Sequence, residues 1–165
     1  MTPWFARVGL PLDSDEEAAV FGLMRVLAPH PAVAVAALRS WQQAAEFMRA
    51  AERDSMTWDQ EEEEREALWA RATERHTEDE VLRQLDAGVF GLNAEMRVAA
   101  LAAMGGAVDA ALATEASGMA LLSAHQSALA LLAGEGPDHH FVRKYALFVR
   151  GRWPLGYHSA RFAIF

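Results

Sequence analysis

Three histidines and an aspartate near the C-terminal end are the residues whose types could bind a metal ion or carry acid–base chemistry. Asp138, His139 and His140 end the segment GEGPDHH, which we predict to be a loop, and His158 lies on a predicted strand beyond it. Imidazole and carboxylate groups are common ligands of transition metals. Adjacent histidines, however, usually direct their side chains apart. The sequence therefore predicts no metal ligand, and an enzyme or metal-binding protein that uses His139, His140 and His158 is an alternative interpretation.

Five glutamates crowd one predicted helix, at positions 61–64 and 66. A hard cation requires carboxylates that converge from facing elements, whereas consecutive residues of a helix diverge by about 100°. The run is better suited to a solvated helix face that meets a basic partner. The acidic residues predicted to contact a protein partner are Glu61, Glu62, Glu64 and Glu66.

Positive charge is concentrated at the C-terminal end of an otherwise acidic chain. The formal net charge is −8, yet residues 143–165 hold five basic side chains and no acidic one. Residues 1–142 therefore carry a formal net charge of −13. Such a surplus of negative charge disfavours nonspecific binding to nucleic acid and favours association with basic proteins.

The C-terminal segment carries three arginines next to two aromatic residues. Arginine side chains can bind phosphate groups, and aromatic rings can stack on nucleic-acid bases. Because the rest of the chain is so acidic, we expect these arginines instead to pair with acids of the same protein, such as the 61–66 run, or to contact a protein partner. These residues form the second part of the predicted partner-binding surface: Arg150, Arg152, Trp153, Tyr157 and Arg161.

The sequence lacks the motifs of several kinds of catalytic and cofactor site. It contains no cysteine, which excludes disulfides, thiol catalysis and zinc–thiolate sites. There is no G-x-S-x-G nucleophile elbow, and Ser117 and Ser123 fall inside predicted helices. Neither a Walker sequence nor a G-x-G-x-x-G motif occurs. The sequence therefore predicts no catalytic residue and no cofactor, and it favours a binding protein over an enzyme.

The stretch YALFVRGRWPLGYHSARFAIF at the C-terminal end favours a β-hairpin. The tetrapeptide WPLG has proline and glycine at positions that suit a turn, with Trp153 opposite Gly156. Flanking runs rich in tyrosine, phenylalanine, valine and isoleucine favour strands over about 143–152 and 157–165. An alternative interpretation places residues 141–149 at the end of a helix, because their aromatic residues also recur at helical spacing.

The rest of the chain favours helices. Three capping-box patterns, beginning at Asp13, Thr57 and Thr77, mark predicted helix starts. Asn93 and Thr114 are the predicted caps of the two most apolar helices. The predicted helices span about 13–27, 31–53, 58–76, 77–87, 94–112 and 115–133.

Two segments allow a second interpretation. Residues 1–12 should form an extended lead-in that lies on the core, because Pro3 and Pro11 discourage a helix, and they could add a strand beside the hairpin. Residues 116–133 carry no charge over a length close to that of a membrane span. The serine, histidine and glutamine side chains within them instead favour a core helix.

Together these patterns predict a mainly α (α+β) fold, with about six helices in a single domain over residues 1–165 and a C-terminal antiparallel hairpin. The N-terminus lacks a signal-peptide pattern, so we expect a cytoplasmic protein. The predicted function is that of a small acidic protein-binding protein, such as an immunity or inhibitor protein that neutralises a basic toxin or enzyme domain. We expect neither a nucleic-acid nor a membrane partner. A structural subunit of a homo-oligomer is a further alternative.

Overall fold

The computed structural model describes residues 2–27, 34–51, 55–105 and 109–165, with the side chains of 55–58 left aside. Helices account for most of these residues, and three short strands form one sheet. The helices are α1 (Ser14–Leu27), α2 (Trp41–Ala51), α3 (Ser55–Arg75), α4 (Glu78–Val89), α5 (Leu92–Ala103), α6 (Ala110–Leu132) and α7 (His140–Val149). The strands are β1 (Ala34–Ala37), β2 (Pro154–His158) and β3 (Arg161–Ile164).

Strand β3 lies at the centre of the sheet, between β1 and β2. Strands β2 and β3 are antiparallel and adjacent in the chain, so the predicted mainly helical fold with a C-terminal hairpin is confirmed. Strand β1 pairs with β3 in parallel, with Ala34 opposite Arg161 and Ala37 opposite Ile164. The sheet therefore joins the C-terminal hairpin to a segment from the first quarter of the chain.

The predicted first strand of the hairpin, 143–152, is wrong, and so is the turn predicted at 153–156. Most of the first segment belongs to α7, as in the alternative interpretation, and β2 begins only at Pro154. The chain reverses at Ser159 and Ala160, whose φ angles are 50° and 59°. Two consecutive positive φ angles make the two-residue loop whose twist matches that of antiparallel strands. Proline is tolerated at the first residue of an edge strand, because that residue need not donate a backbone N–H to a neighbouring strand.

The helix predicted over 31–53 is divided in the structure. Its first described part forms β1, and α2 begins only at Trp41. The alanine-rich β1 sequence favours a helix by propensity, but pairing with β3 satisfies its backbone groups and packs Val35 beside α1. The prolines predicted to separate the first two helices lie in 28–33, and the predicted helix end lies in 52–54; both ranges are outside the described residues.

The capping boxes predicted at Asp13 and Thr77 are confirmed. The Glu16 N–H donates to Asp13 Oδ1 at 2.9 Å, and the Asp13 N–H donates to Glu16 Oε2 at 2.9 Å. Thr77 and Glu80 exchange the corresponding pair of hydrogen bonds at the start of α4. In each capping box the side chain of the first residue accepts a backbone N–H of the helix, and the glutamate side chain accepts the backbone N–H of the first residue.

Three other predicted caps are wrong. Helix α5 begins directly after Gly91, so Asn93 already lies inside it. Asp109 rather than Thr114 caps α6, because its carboxylate accepts two backbone N–H groups at 3.0 Å each. Helix α3 begins before Thr57. Both α5 and α6 consequently begin and end earlier in the chain than predicted.

Helix α6 is the central element of the fold and packs against α3, α4, α5 and α7. Its buried residues are mainly alanine and serine, such as Ala116, Ser117 and Ala120. Small side chains let several neighbouring helices approach the same helix while the interior stays closely packed. Among the described helices, α6 included, none has both the length and the apolar character required to cross a bilayer.

The N-terminal segment 2–12 packs on the core, as predicted, but it forms turns rather than an added strand. Trp4 and Phe5 are both buried. The Phe5 ring meets the Trp153 ring edge-on, with centroids 6.5 Å apart. Main-chain hydrogen bonds between Trp153 and Phe165, at 2.7 and 2.9 Å, hold the end of the sheet against this aromatic cluster.

Candidate functional site

Six polar side chains meet where α3, α6 and α7 come together, and we call them the junction cluster. Glu61 and Glu64 are one helical turn apart on α3, and His140 and Lys144 are one turn apart on α7. Residues at these spacings lie on the same face of a helix. The two helices therefore present complementary groups to each other. The junction cluster consists of Glu61, Glu64, Gln126, His139, His140 and Lys144.

Two histidines hold the Glu64 carboxylate. Its Oε2 is 2.5 Å from His140 Nε2, and its Oε1 is 3.2 Å from His139 Nε2. The imidazole rings are stacked, with centroids 4.7 Å apart and planes inclined by 24°. Adjacent histidines were expected to point apart, and that expectation is wrong here. His139 has an extended backbone, with φ −62° and ψ 138°, whereas His140 is the first residue of α7, so both side chains can reach one carboxylate.

His139 also caps α7. Its Nδ1 accepts a hydrogen bond from the Phe141 N–H at 3.2 Å. A ring nitrogen that accepts a hydrogen bond carries no proton, so the network assigns the proton of the neutral ring to Nε2, which donates it to Glu64. Burial lowers the pKa of His139 and the neighbouring His140 lowers it further, while Glu64 acts in the opposite direction. The neutral imidazole is therefore the favoured form at neutral pH.

His140 is nearly fully buried, with 8% of its surface exposed, but only one of its ring nitrogens is satisfied. Its Nδ1 has no hydrogen-bond partner in the part of the chain that the structure describes. Gln126 Oε1 and, one turn away on α6, Ser123 Oγ are also buried without a described partner. Buried polar atoms are rarely left unsatisfied. The junction cluster therefore has unused hydrogen-bonding capacity.

Glu61 is the second carboxylate of the junction cluster. The Lys144 ammonium donates to its Oε1 at 3.1 Å, and the Gln126 amide donates to its Oε2 at 3.3 Å. Because the side chains of Glu61 and Lys144 are mostly buried, little of this ion pair is available to a partner.

The rest of the predicted acidic run lies at the surface. Glu62 is partly exposed and bonded to Arg65, and this hydrogen bond lowers the pKa of Glu62. Glu63 and Glu66 are exposed. The glutamates predicted to bind a partner therefore divide between the two sides of α3, with Glu61 and Glu64 facing inward.

A second charged group, which we call the terminal network, consists of Arg7, Asp13, Glu16 and Arg152. Arg152 is only 1% exposed and uses all five of its N–H donors. Two of them bind the Glu16 carboxylate at 2.9 and 2.6 Å, and three bind carbonyl groups of the N-terminal segment. Arg152 thus pairs with an acid of its own protein, which is Glu16 rather than the 61–66 run.

Glu16 is saturated with donors. It accepts hydrogen bonds from Arg152, from the Arg7 guanidinium and from the Asp13 N–H. Burial alone would raise the pKa of Glu16, but the hydrogen bonds from Arg152 and Arg7 outweigh it and lower the pKa to about 2. The carboxylate is therefore ionised over the physiological range of pH.

The other residues of the second predicted group occupy different environments. Trp153 is fully buried, and Tyr157 is half-buried, which raises the pKa of its hydroxyl. Arg150 is exposed and donates to a main-chain oxygen of α1 at 3.2 Å. Arg161 is exposed at the start of β3. Arg152 and Trp153 consequently lie inside the protein, whereas Arg150 and Arg161 lie on its surface.

The side chains of His158 and Asp138 have partners outside the junction cluster. His158 is on β2, where its ring meets the Phe47 ring at 90° with centroids 5.9 Å apart. Asp138 forms an ion pair with Arg143. Of the three histidines considered together from the sequence, the structure brings together His139 and His140.

Sequence analysis missed the contact between Glu64 and the histidines, and it missed Gln126, Lys144 and Glu16. The sequence did contain one signal of a shared helix face: Glu61 and Glu64 are three positions apart, and His140 and Lys144 are four positions apart. That the two pairs meet depends on the packing of α3 and α7 on α6, because Glu64 and His140 are 76 positions apart.

Comparison of the chain with protein-family profiles, curated proteins and solved structures found no match.

Proposed function

We propose that the protein binds a basic protein partner through the acidic outer surface of α3 and α4. An immunity or inhibitor protein that neutralises a basic toxin or enzyme domain is the kind of protein that this surface suits. The observation that carries the proposal is a contrast in exposure. The C-terminal cations Lys144 and Arg152 are used inside the protein, whereas most carboxylates of α3 and α4, though not Glu61 and Glu64, are exposed.

Seven carboxylate side chains between residues 59 and 90 are exposed, against three exposed arginines. One of these arginines, Arg71, is paired with Glu135 at 2.6 Å. A surface with one dominant charge attracts partners of the opposite charge and raises their association rate. The exposed acids, which we call the acidic surface, are Asp59, Glu63, Glu66, Glu74, Glu78, Asp79 and Asp86.

The exposed acids of α3 form a stripe. Asp59, Glu63, Glu66 and Glu74 recur at spacings of four, three and eight, which places them on one side of the helix. The inward residues Glu61 and Glu64 lie on the other side, with the buried Leu68 and Ala72. Helix α3 therefore has an inner face that belongs to the junction cluster and an outer face that is free to meet a partner.

Two apolar side chains stand among the acids and could anchor a partner. Leu82 on α4 is 45% exposed, and Phe90, directly after α4, is 89% exposed. Protein interfaces gain most of their affinity from a few apolar or aromatic anchors, while charged groups around them set orientation and association rate. We therefore propose that Leu82 and Phe90 provide most of the affinity for the partner. The acidic surface steers the partner electrostatically, and the partly exposed Glu62 lies at the edge of that surface.

The test is a pair of charge reversals that change the net charge equally. The double variant Glu63→Lys/Glu66→Lys alters the acidic surface, and the control Glu17→Lys/Glu46→Lys alters exposed acids of α1 and α2. Partners are captured in parallel on wild-type and variant proteins, quantified by mass spectrometry, and then measured for association rate at low and high salt. We expect the first variant to lower the association rate by roughly tenfold and the control to have a much smaller effect.

The difference should shrink at high salt, because ions screen exposed charges. If both double variants associate with the captured partner as fast as the wild type, the acidic surface is not the interface. Equal losses in both variants would assign the effect to net charge and would also contradict the proposal. Circular dichroism confirms that each variant is folded before it is compared.

A further inference from the structure

Part of the junction cluster has the composition of a metal site. The imidazoles of His139 and His140 and the carboxylate of Glu64 each offer one ligand atom, and these atoms lie within 4.8 Å of one another. We propose that Glu64, His139 and His140 bind a divalent transition-metal ion such as Zn²⁺. The site is independent of the acidic surface, which lies on the outer side of α3 and on α4.

The ligand set determines the class of metal. Two imidazole nitrogens and one carboxylate oxygen suit Zn²⁺ and neighbouring transition ions, whereas Mg²⁺ and Ca²⁺ prefer shells of oxygen. Ligand atoms about 2.0–2.2 Å from a tetrahedral zinc ion lie roughly 3.4 Å from one another. Glu64 Oε1 and His139 Nε2 are already 3.2 Å apart. The side chains therefore need to move by only about 1.5 Å at most to close around an ion.

Burial fixes the histidines and leaves a path to solvent. The side chains of His139 and His140 are each 10% exposed, whereas that of Glu64 is 37% exposed. An ion would enter on the Glu64 side and rest against two rings that packing holds in place. Three protein ligands leave a fourth position for water, as in zinc sites that keep one coordination position open.

The second ring nitrogen of His140 is able to take the ring proton when Nε2 binds a metal. Nε2 can bind a metal only through its lone pair, so the proton of the neutral ring must move from Nε2 to Nδ1. In the described structure His140 Nδ1 has no hydrogen-bond partner. The proton shift breaks no hydrogen bond at Nδ1, but it gives up the hydrogen bond from Nε2 to Glu64 and leaves the new Nδ1–H without a described acceptor.

Two features at the start of α7 disfavour the binding of a metal ion. His139 Nδ1 accepts the Phe141 N–H, so the same proton shift in His139 breaks the helix cap. Loss of a cap changes a helix equilibrium by roughly 2- to 30-fold, and the positive end of the helix dipole also disfavours a cation. Both effects lower the affinity for Zn²⁺, but neither removes one of the three ligand atoms. They would weaken the site without abolishing it.

The experiment uses protein without a histidine tag, stripped of metal and titrated with ZnCl₂ by calorimetry. We expect one ion per chain for the wild type. The variant Glu64→Gln keeps a hydrogen-bond acceptor but loses the anionic ligand, and His139→Ser keeps a helix cap but loses the imidazole. Each should lower the affinity for Zn²⁺ by about 100-fold or more, whereas His76→Gln, outside the junction cluster, should bind as the wild type does.

Substoichiometric Zn²⁺ binding by the wild type would overturn the proposal, and so would wild-type affinity in folded His139→Ser. A second measurement, made on the wild type, tests the site even if the variants do not fold. Addition of CoCl₂ to the wild type should shift the ring proton resonances of His139 and His140 in NMR spectra. Shifts confined to the other histidines would overturn the proposal in the same way.

Discussion

The terminal network and the junction cluster are both charged groups that join distant parts of the chain, but they differ in completeness. In the terminal network Arg152 uses all of its donors, and the side chains of Arg152 and Glu16 are 1% and 3% exposed. In the junction cluster Glu64 is partly exposed, and His140 Nδ1 has no partner among the described residues. The Arg152–Glu16 pair at the centre of the terminal network is closed and satisfied, whereas the junction cluster is open and has unused capacity.

This difference separates a structural role from a binding role. A buried ion pair whose hydrogen bonds are all made is costly to break, because removal of one partner leaves an uncompensated charge. It also has no free group with which to bind anything else. The terminal network accordingly joins the N-terminal segment and α1 to the segment before β2. The junction cluster has the free nitrogen and the opening that a ligand requires.

The largest predicted effect comes from breaking the terminal network. Arg152→Met leaves the Glu16 carboxylate buried without its main partner and leaves the carbonyl groups of Leu10 and Pro11 without their described donor. We expect the free energy of unfolding, measured by urea denaturation, to fall by about 3–5 kcal/mol. The control Arg150→Met removes an exposed arginine and should change it by less than about 0.5 kcal/mol. Equally small losses in both variants would contradict the structural role of Arg152.

An intermediate effect should follow a fall in pH. The pKa of Glu16 is about 2 in the folded protein, below its ordinary value of 4.5. A lowered pKa contributes stability that is complete above the unfolded value and is lost as the pH falls towards the folded value. This loss should be on the order of 2–3 kcal/mol between about pH 5 and pH 2. Folded Glu16→Gln should lack it, so an identical acid dependence in that variant would contradict the assignment to Glu16.

The smallest predicted effect is on the metal-free junction cluster. Glu64→Gln keeps an oxygen that can accept from one imidazole, and the side chain is partly exposed. We therefore expect the free energy of unfolding to fall by less than about 1 kcal/mol in the presence of EDTA. Urea denaturation beside Arg152→Met provides the comparison. A loss as large as that of Arg152→Met would show that the junction cluster is also structural.

Local chemistry explains the parts of the fold that could be predicted from the sequence. The capping boxes at Asp13 and Thr77 depend on residues three positions apart, so both were recognisable. The hairpin was predicted from its aromatic and β-branched residues, but its turn was not, because Ser159 and Ala160 adopt positive φ angles that these residue types seldom take. The strand at Ala34 depends on pairing with β3, which no local pattern reveals.

The candidate sites depend still more on distant contacts. Glu135 stands four positions before His139, but in a predicted loop, and Glu64 is one of several consecutive glutamates. What distinguishes Glu64 from Glu63 is the side of α3 that packs on α6 and α7. Arg152 likewise resembles Arg150 in the sequence, yet one is buried with all donors used and the other is exposed. Packing, rather than residue type, selects which of these groups can act.

Metal binding by the junction cluster is tested most directly by urea unfolding with and without Zn²⁺. An ion that binds only the folded state stabilises it by about 2.7 kcal/mol when its free concentration is one hundred times the dissociation constant. We predict that Zn²⁺ raises the urea midpoint of the wild type, that EDTA reverses the change, and that Glu64→Gln does not respond. A wild-type midpoint that is the same with Zn²⁺ and with EDTA would contradict a metal site at Glu64, His139 and His140.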